Sequence, residues 1–292
     1  MSPRKPRIGF IGLGNMGTPM SRRLVEAGYA VAGTDLAATN RQRLAAAGGT
    51  AVETAIEVAA GSDVLILMLP NSDVVEAVLL DDGVAAALPA AAVIVDMSSS
   101  EPLRTRALAG RLAADGLALV DAPVSGGVGG AEKGTLTIMA GGDADMLAGL
   151  ADVLAVLGRV RHTGAVGSGH ALKALNNLLS ATHLLATSEA MVAGQEFGLD
   201  PATMLEVFNT SSGRSGSTEN KWPNFVLPGG YDSGFGLGLM LKDMKIATDL
   251  ASAIGRPGRL GSRAVDLWTE ARGQLDPGAD HTEIARWAGH AS

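Results

Sequence analysis

In the first half of the chain, short apolar runs alternate with amphipathic stretches. The apolar runs cover Arg7–Gly12, Ala30–Asp35, Asp63–Pro70, Ala92–Ser98, Leu117–Pro123 and Thr135–Gly142. Their interiors are nearly continuously apolar, which predicts strands of a parallel sheet covered on both faces. Helical spacing fills the gaps over residues 19–27, 41–47, 73–78, 104–114 and 145–157. This alternation predicts an α/β domain with a doubly wound sheet. After about Gly164 the strand signals stop. Gly167–Gly198 reads as one long, mostly apolar helix, and further helical stretches follow at residues 201–209, 242–253 and 262–272. The pattern therefore predicts an α/β domain over residues 1–163 and an all-α domain over residues 164–292.

Composition narrows the function classes. Of 292 residues, 47% are hydrophobic and 18% charged, so the chain buries a sizeable core. Aromatics are only 3%, which leaves Ala, Val, Leu and Met to fill that core. A net charge of -7 without a basic run argues against a nucleic-acid partner. The absence of cysteine excludes a disulfide framework and a Cys-ligated metal, and the five histidines do not cluster, so no metal is expected. No apolar run reaches the ~18 residues of a membrane span, and none precedes the first strand as a signal would. A soluble, cytoplasmic protein without a membrane partner is the expectation.

Gly12-x-Gly14-x-x-Gly17 follows the first strand and opens a helix. In that context Gly12 permits the tight turn, Gly14 lets the backbone approach a pyrophosphate, and Gly17 lets helix pack on strand. Leu13, Asn15 and Met16 complete the loop, and the helix N-terminus offers N–H groups to phosphate. The expected domain is thus a dinucleotide-binding Rossmann domain. Asp35, at the end of the second strand, suits the adenosine ribose and would repel a 2′-phosphate, which favours NAD over NADP. The alternative is an N-cap or turn residue, and Arg41 and Arg43 stand close enough to meet a 2′-phosphate. Ligands in such sheets bind beyond the carboxyl ends of strands, so Leu69, Pro70 and nearby Val74 are cofactor candidates. Ser99 and Ser100 belong to the same edge, as cofactor contacts or as helix N-caps.

After the fifth strand, Ser125, Gly126 and Gly127 offer a hydroxyl and two unobstructed N–H groups, a cradle for a carboxylate or other oxyanion. The long helix supplies a facing chemistry. Gly169, Lys173, Asn176 and Asn177 share one helical face, with Gly169 leaving space one turn before Lys173. Burial would draw a lysine from its usual pKa of about 10.4 toward neutrality and fit it for proton transfer.

In "GFIGLGNMGTPM", "DAPVSGG" with "GTLTIM", the Gly169–Asn177 segment and "KDM" at Lys242–Met244, the chain resembles the β-hydroxyacid dehydrogenase family, of the 3-hydroxyisobutyrate dehydrogenase type. The resemblance runs in order over nearly the whole length. It implies an N-terminal Rossmann domain, a long interdomain helix, an all-α C-terminal domain for substrate and dimerisation, and a homodimer or homotetramer. It implies NAD(P)-dependent oxidation of small 3-hydroxy acids, or reduction of the semialdehydes. It places the catalytic lysine on Lys173, the orienting asparagine on Asn177 beside Asn176, the substrate cradle on Ser125, Gly126 and Gly127, and the nicotinamide-side lysine on Lys242 with Asp243 supporting it. Leu69 and Pro70 match the family's cofactor contact. Ser99 stands where many members have threonine. In "SSGRSGS", Gly216 replaces an aromatic common in relatives, and Arg214 suits a distal acidic group of the substrate or a surface ion pair equally. An imine reductase on the same scaffold, or a non-catalytic dinucleotide-binding scaffold protein, are the alternatives; Lys173 argues against both.

Overall fold

Six short strands pair in parallel in the order β3-β2-β1-β4-β5-β6: β1 (Ile8–Ile11), β2 (Val31–Thr34), β3 (Thr50–Ala51), β4 (Val64–Leu67), β5 (Val93–Asp96) and β6 (Ala118–Asp121). The computed structural model describes residues 4–290 and divides into two compact units, one ending at Lys173 and the next beginning at Ala174. The sheet belongs to the first unit and is of Rossmann type.

Burial explains the continuous apolar runs. Successive strand residues point to opposite faces. Ile8, Phe10, Val64, Ile66, Val95 and Val120 feed one core cluster. Ile11, Leu65, Leu67, Ile94 and Leu119 feed another. Each such side chain stabilises the fold by ~1.5–3 kcal/mol when fully buried. Helices cover both faces, including Gly17–Glu26 and Ala55–Ala60.

Beyond β6 the sheet changes direction. β8 (Leu136–Gly141) runs antiparallel to β6 and to the two-residue β7 (Val124–Ser125), and β9 (Gly158–Gly164) lies parallel to β8. The expected helix over 145–157 is two, Ala144–Gly149 and Ala151–Leu157. The expected 73–78 helix is Ser72–Glu76 continued by a π-helical turn, Ala77–Asp81.

The second unit is helical. The long helix, Ser168–Phe197, enters it from the first, and Pro201–Thr210, Leu237–Ala253, Arg259–Gln274 and Ile284–His290 follow, with a π-helical stretch at Ser217–Val226. Its core gathers Leu184, Met191, Met244, Trp222, Trp268 and Trp287. No described helix is long and apolar enough to cross a membrane.

One ion pair ties β1 to β4. Arg7 donates through its backbone N–H, Nε and Nη2 to the Asp63 carboxylate at 2.8, 3.1 and 2.8 Å. The Arg7 side-chain bonds, then its backbone N–H, hold the Asp63 carboxyl down at about 2. An unfolded aspartate titrates near 3.9. The folded value is the lower one, so the stabilisation is present above about pH 4 and is lost as pH falls through about 2. Both side chains are about two-fifths exposed, so solvent screens the pair and keeps its contribution small. Asp63→Asn should show a slightly lower urea midpoint at pH 7, with the gap to the parent closing as pH falls below about 4. A gap unchanged with pH would show that the charge contributes nothing.

Candidate active site

The glycine loop follows β1. Gly12 adopts φ +94, the left-handed region, and a Cβ there would overlap the Met68 carbonyl oxygen. A Cβ on Gly17 would likewise overlap the Gly12 carbonyl oxygen, which fixes the helix start against the turn. A Cβ on Gly14 would meet nothing within 4 Å, so the loop backbone faces open space at the position where a pyrophosphate approaches. Asn15 is exposed, Leu13 buried and Met16 half-buried. The residues present fit a dinucleotide.

Asp35 follows β2. Its Oδ2 accepts from the Leu13 N–H at 2.7 Å, and its Oδ1 accepts from the Ala37 N–H at 2.8 Å and the Asn40 side chain at 3.1 Å. It therefore fastens the glycine loop to the end of β2, a role the sequence did not disclose. Arg41 is turned to the protein: Nη1 donates to the Asp35 carbonyl at 2.6 Å and Nη2 to Glu53 at 2.9 Å. Arg43 donates to Asn40 at 3.3 Å.

At the carboxyl ends of β4 and β5, the Leu69 N–H donates to Ser98 Oγ at 2.9 Å. Ser98 was not among the expected residues; Ser99 beside it is half-buried. The N-cap alternative for Ser99 and Ser100 does not hold. The helix Pro102–Ala114 is preceded by Glu101 at the cap position, and Ser100 Oγ donates to Asp96 Oδ2 at 2.9 Å. Pro70 is exposed, while Leu69 and Val74 are half-buried.

Ser125 pairs with Thr137 of β8, and Gly126 and Gly127 follow at φ +132 and +63. Both glycines are exposed and open a short helix, Gly127–Lys133. The same strand supports the start of the long helix. A Cβ on Gly169 would overlap the Met139 carbonyl oxygen and stand 2.9 Å from Asp121 Oδ2. Gly169 is thus a point of close helix–sheet contact, and the expected gap at this position is filled by β8 and Asp121.

Asp121, wholly buried at the end of β6, accepts from the Gly167 N–H at 2.6 Å and the His170 N–H at 2.8 Å. A carboxylate from a strand therefore caps the helix and meets its positive end. Burial pushes the Asp121 carboxyl up, and His170 with the two N–H donors opposes it. One turn on, Lys173 is only 8% exposed.

The second unit contains the other polar group of interest. Asn177 Nδ2 donates to Asp243 Oδ2 at 2.6 Å, Asn176 Nδ2 donates to Asn177 Oδ1 at 3.2 Å, and Lys242 Nζ lies 3.3 Å from Asp243 Oδ1. Asn177 and Asp243 are buried and Asn176 is exposed. Arg214 is exposed and paired with Glu219 at 2.6 Å. The first unit thus contains the glycine loop tied to Asp35, Leu69 tied to Ser98, and, elsewhere in the same unit, Ser125–Gly127 and Lys173. The second brings together Asn176, Asn177, Lys242 and Asp243.

Residues 7–167 match the profile of the NAD binding domain of 6-phosphogluconate dehydrogenase. Residues 167–288 match that of the NAD-binding region of NADP-dependent 3-hydroxyisobutyrate dehydrogenase. The chain is 40% identical to 2-(hydroxymethyl)glutarate dehydrogenase of Eubacterium barkeri, over 91% of this chain and 89% of that protein. It is 38% identical to the NAD-dependent L-serine dehydrogenase of Pseudomonas aeruginosa, over 90% and 91%. Among solved structures, Mycobacterium tuberculosis 3-hydroxyisobutyrate dehydrogenase with L-serine superposes with a TM-score of 0.91 at 34% identity, over 97% of this chain and 99% of that one.

Proposed function

The chain belongs to the β-hydroxyacid dehydrogenase family, of the 3-hydroxyisobutyrate dehydrogenase type, and on that premise we propose which hydroxy acids this NAD(P)-dependent dehydrogenase takes. They carry a hydroxymethyl group on the carbon that bears the carboxylate. The compounds named for its relatives, 2-(hydroxymethyl)glutarate, L-serine and 3-hydroxyisobutyrate, share that arrangement and differ in the third substituent. The reverse reaction reduces the matching semialdehyde.

The observation that carries the reading is the burial of Lys173 in the unit that also holds the glycine loop. A nicotinamide dinucleotide, when bound, supplies the hydride acceptor or donor. Lys173 takes the hydroxyl proton during oxidation and returns it in reduction, and its ammonium stabilises charge on the alkoxide oxygen. The Ser125 hydroxyl and the N–H groups of Gly126 and Gly127 hold the carboxylate. Asn177 keeps the orienting role that the resemblance gives it, and Asp243 holds its amide within the second unit.

NAD is the preferred cofactor in this reading. Asp35 Oδ2 accepts one hydrogen bond, from the Leu13 N–H, and so keeps acceptor capacity for a ribose hydroxyl, and Arg41 is committed to Glu53 and the Asp35 carbonyl instead of a 2′-phosphate. The test is the absorbance of reduced cofactor with 3-hydroxyisobutyrate, L-serine and 2-(hydroxymethyl)glutarate, each with NAD and NADP, against lactate as a 2-hydroxy acid control. Turnover of a hydroxymethyl acid with NAD at least ~10-fold ahead of NADP in kcat/KM is expected. Asp35→Ala should lower kcat/KM for NAD by ~10-fold or more. Turnover confined to lactate would sink the substrate class, and an NADP preference would sink the cofactor assignment.

A further inference from the structure

His170 is buried and bonded in a way that neither the family motifs nor the proposed chemistry explains. Its side chain is wholly buried in the first turn of the long helix. Nε2 lies 3.1 Å from the Ser98 carbonyl oxygen. A carbonyl only accepts, so Nε2 carries a proton and donates. Nδ1 lies 2.8 Å from the Thr105 hydroxyl, in the helix Pro102–Ala114. Two buried carboxylates flank the ring: Asp96 Oδ2 is 3.7 Å from Nε2 and Asp121 Oδ2 is 3.9 Å from Nδ1. Asp96 and Asp121 are register partners at the ends of β5 and β6.

The ring therefore joins segments far apart in sequence. Through Ser98 it reaches the loop after β5, whose hydroxyl in turn accepts from the Leu69 N–H on the cofactor side. Through Thr105 it reaches a covering helix. Its own backbone N–H is held by Asp121. Lys173 follows three residues later on the same side of the helix. An apolar residue would fill the space at lower desolvation cost, so a fully bonded imidazole here indicates a need for fixed geometry.

We propose that His170 is a positioning residue, which locks the first turn of the long helix to the strand ends at Ser98 and Thr105 and so fixes Lys173 relative to the cofactor-side loop at Leu69. The inference rests on Lys173 being the proton carrier. A misplacement of about 1 Å at a reacting group costs on the order of 100-fold in rate. Losing the ring's anchors acts mainly through kcat, because the bonds of His170 described above reach Ser98, Thr105 and Asp121 and none of them reaches the glycine loop or Asp35.

The experiment compares His170→Leu, His170→Gln and Thr105→Val with the parent and with Lys173→Ala. It measures kcat, KM, NAD affinity and the solvent deuterium isotope effect on kcat. His170→Leu should lower kcat by ~30-fold or more, with NAD affinity held within about threefold. The solvent isotope effect should rise, because a displaced lysine makes proton transfer limiting; a smaller folded fraction would leave that ratio unchanged. His170→Gln keeps an N–H for the Ser98 carbonyl and should recover most of the rate. Thr105→Val should show the same signature at ~3–10-fold. A folded His170→Leu enzyme within about threefold of parental kcat overturns the proposal, as does a loss without an isotope-effect change and without recovery in His170→Gln. If His170→Leu does not fold, parental kcat in Thr105→Val overturns it. Retained turnover in Lys173→Ala strikes the role of Lys173 itself, whereas an inactive Lys173→Ala beside a parental His170→Leu strikes only His170.

Discussion

Lys173→Ala should lower kcat by roughly a thousandfold, about 4 kcal/mol of barrier, while NAD binding changes by less than about threefold. The magnitude follows from the two tasks assigned to one ammonium, proton transfer and stabilisation of the alkoxide. General acid–base catalysis alone contributes ~10²–10⁴-fold. Selectivity for kcat over cofactor binding follows from position. The dinucleotide candidates lie on the glycine loop, at Asp35, at and just after the ends of β4 and β5, and at Lys242 in the helix Leu237–Ala253, whereas Lys173 lies on the long helix. Lys173→Arg separates the two tasks. It keeps the charge but does not release a proton near neutral pH, so it should remain almost as impaired. Initial rates and fluorescence titration with NADH measure both quantities. A kcat for Lys173→Ala within about tenfold of the parent would remove the lysine from the mechanism.

Gly169→Ala should cost ~3–5 kcal/mol of stability and lower kcat by ~100-fold or more, although it adds only one methyl group. The methyl carbon would overlap the Met139 carbonyl oxygen and stand 3.0 Å from the Asp121 carbonyl and 2.9 Å from its Oδ2. Two of these are backbone atoms of paired strands and the third is a wholly buried carboxylate, so the helix start must move. Movement stretches the bonds from Gly167 and His170 to Asp121, and each buried donor left unpaired costs ~1–3 kcal/mol. Lys173 moves with the helix. Gly273→Ala is the control, because its methyl would meet nothing within 4 Å inside another helix. Denaturant midpoints and kcat for both variants decide the matter; parental values for Gly169→Ala would show that the helix start tolerates displacement.

Much of the first unit is legible in the sequence for a simple reason. Strands covered on both faces cannot alternate, so β1, β2, β4, β5, β6 and β8 stand out as apolar runs. β3 and β7 are two residues long and carry no period. β9, "GRVRHTG", pairs along only one side, with Arg159 and Arg161 exposed, and an edge of this kind looks like a loop. The same limit applies to the candidate site. The glycine loop is local, and its spacing expresses its geometry. Asp121, Ser98 and His170 act across 46, 29 and 72 residues respectively, and no spacing rule spans such distances. The one available signal was an acid closing an apolar run, as Asp96 and Asp121 do. Helical spacing gives the face of Gly169 and leaves its neighbour unstated, so the sequence suggests room for a ligand where the Met139 carbonyl and Asp121 stand. By position Asp35 suits either a ribose or a turn, and its bond to the Leu13 N–H, which makes it a fastener of the glycine loop, is invisible to spacing.

The distribution of aromatic residues has a spectroscopic consequence. The three tryptophans, Trp222, Trp268 and Trp287, all lie in the helical unit, and all are buried. Intrinsic tryptophan emission therefore reports the packing of that unit alone, and the sheet with its glycine loop contributes no indole to the signal. Circular dichroism records both units, so a pair of melting curves followed by the two methods separates their cooperativity without any added label.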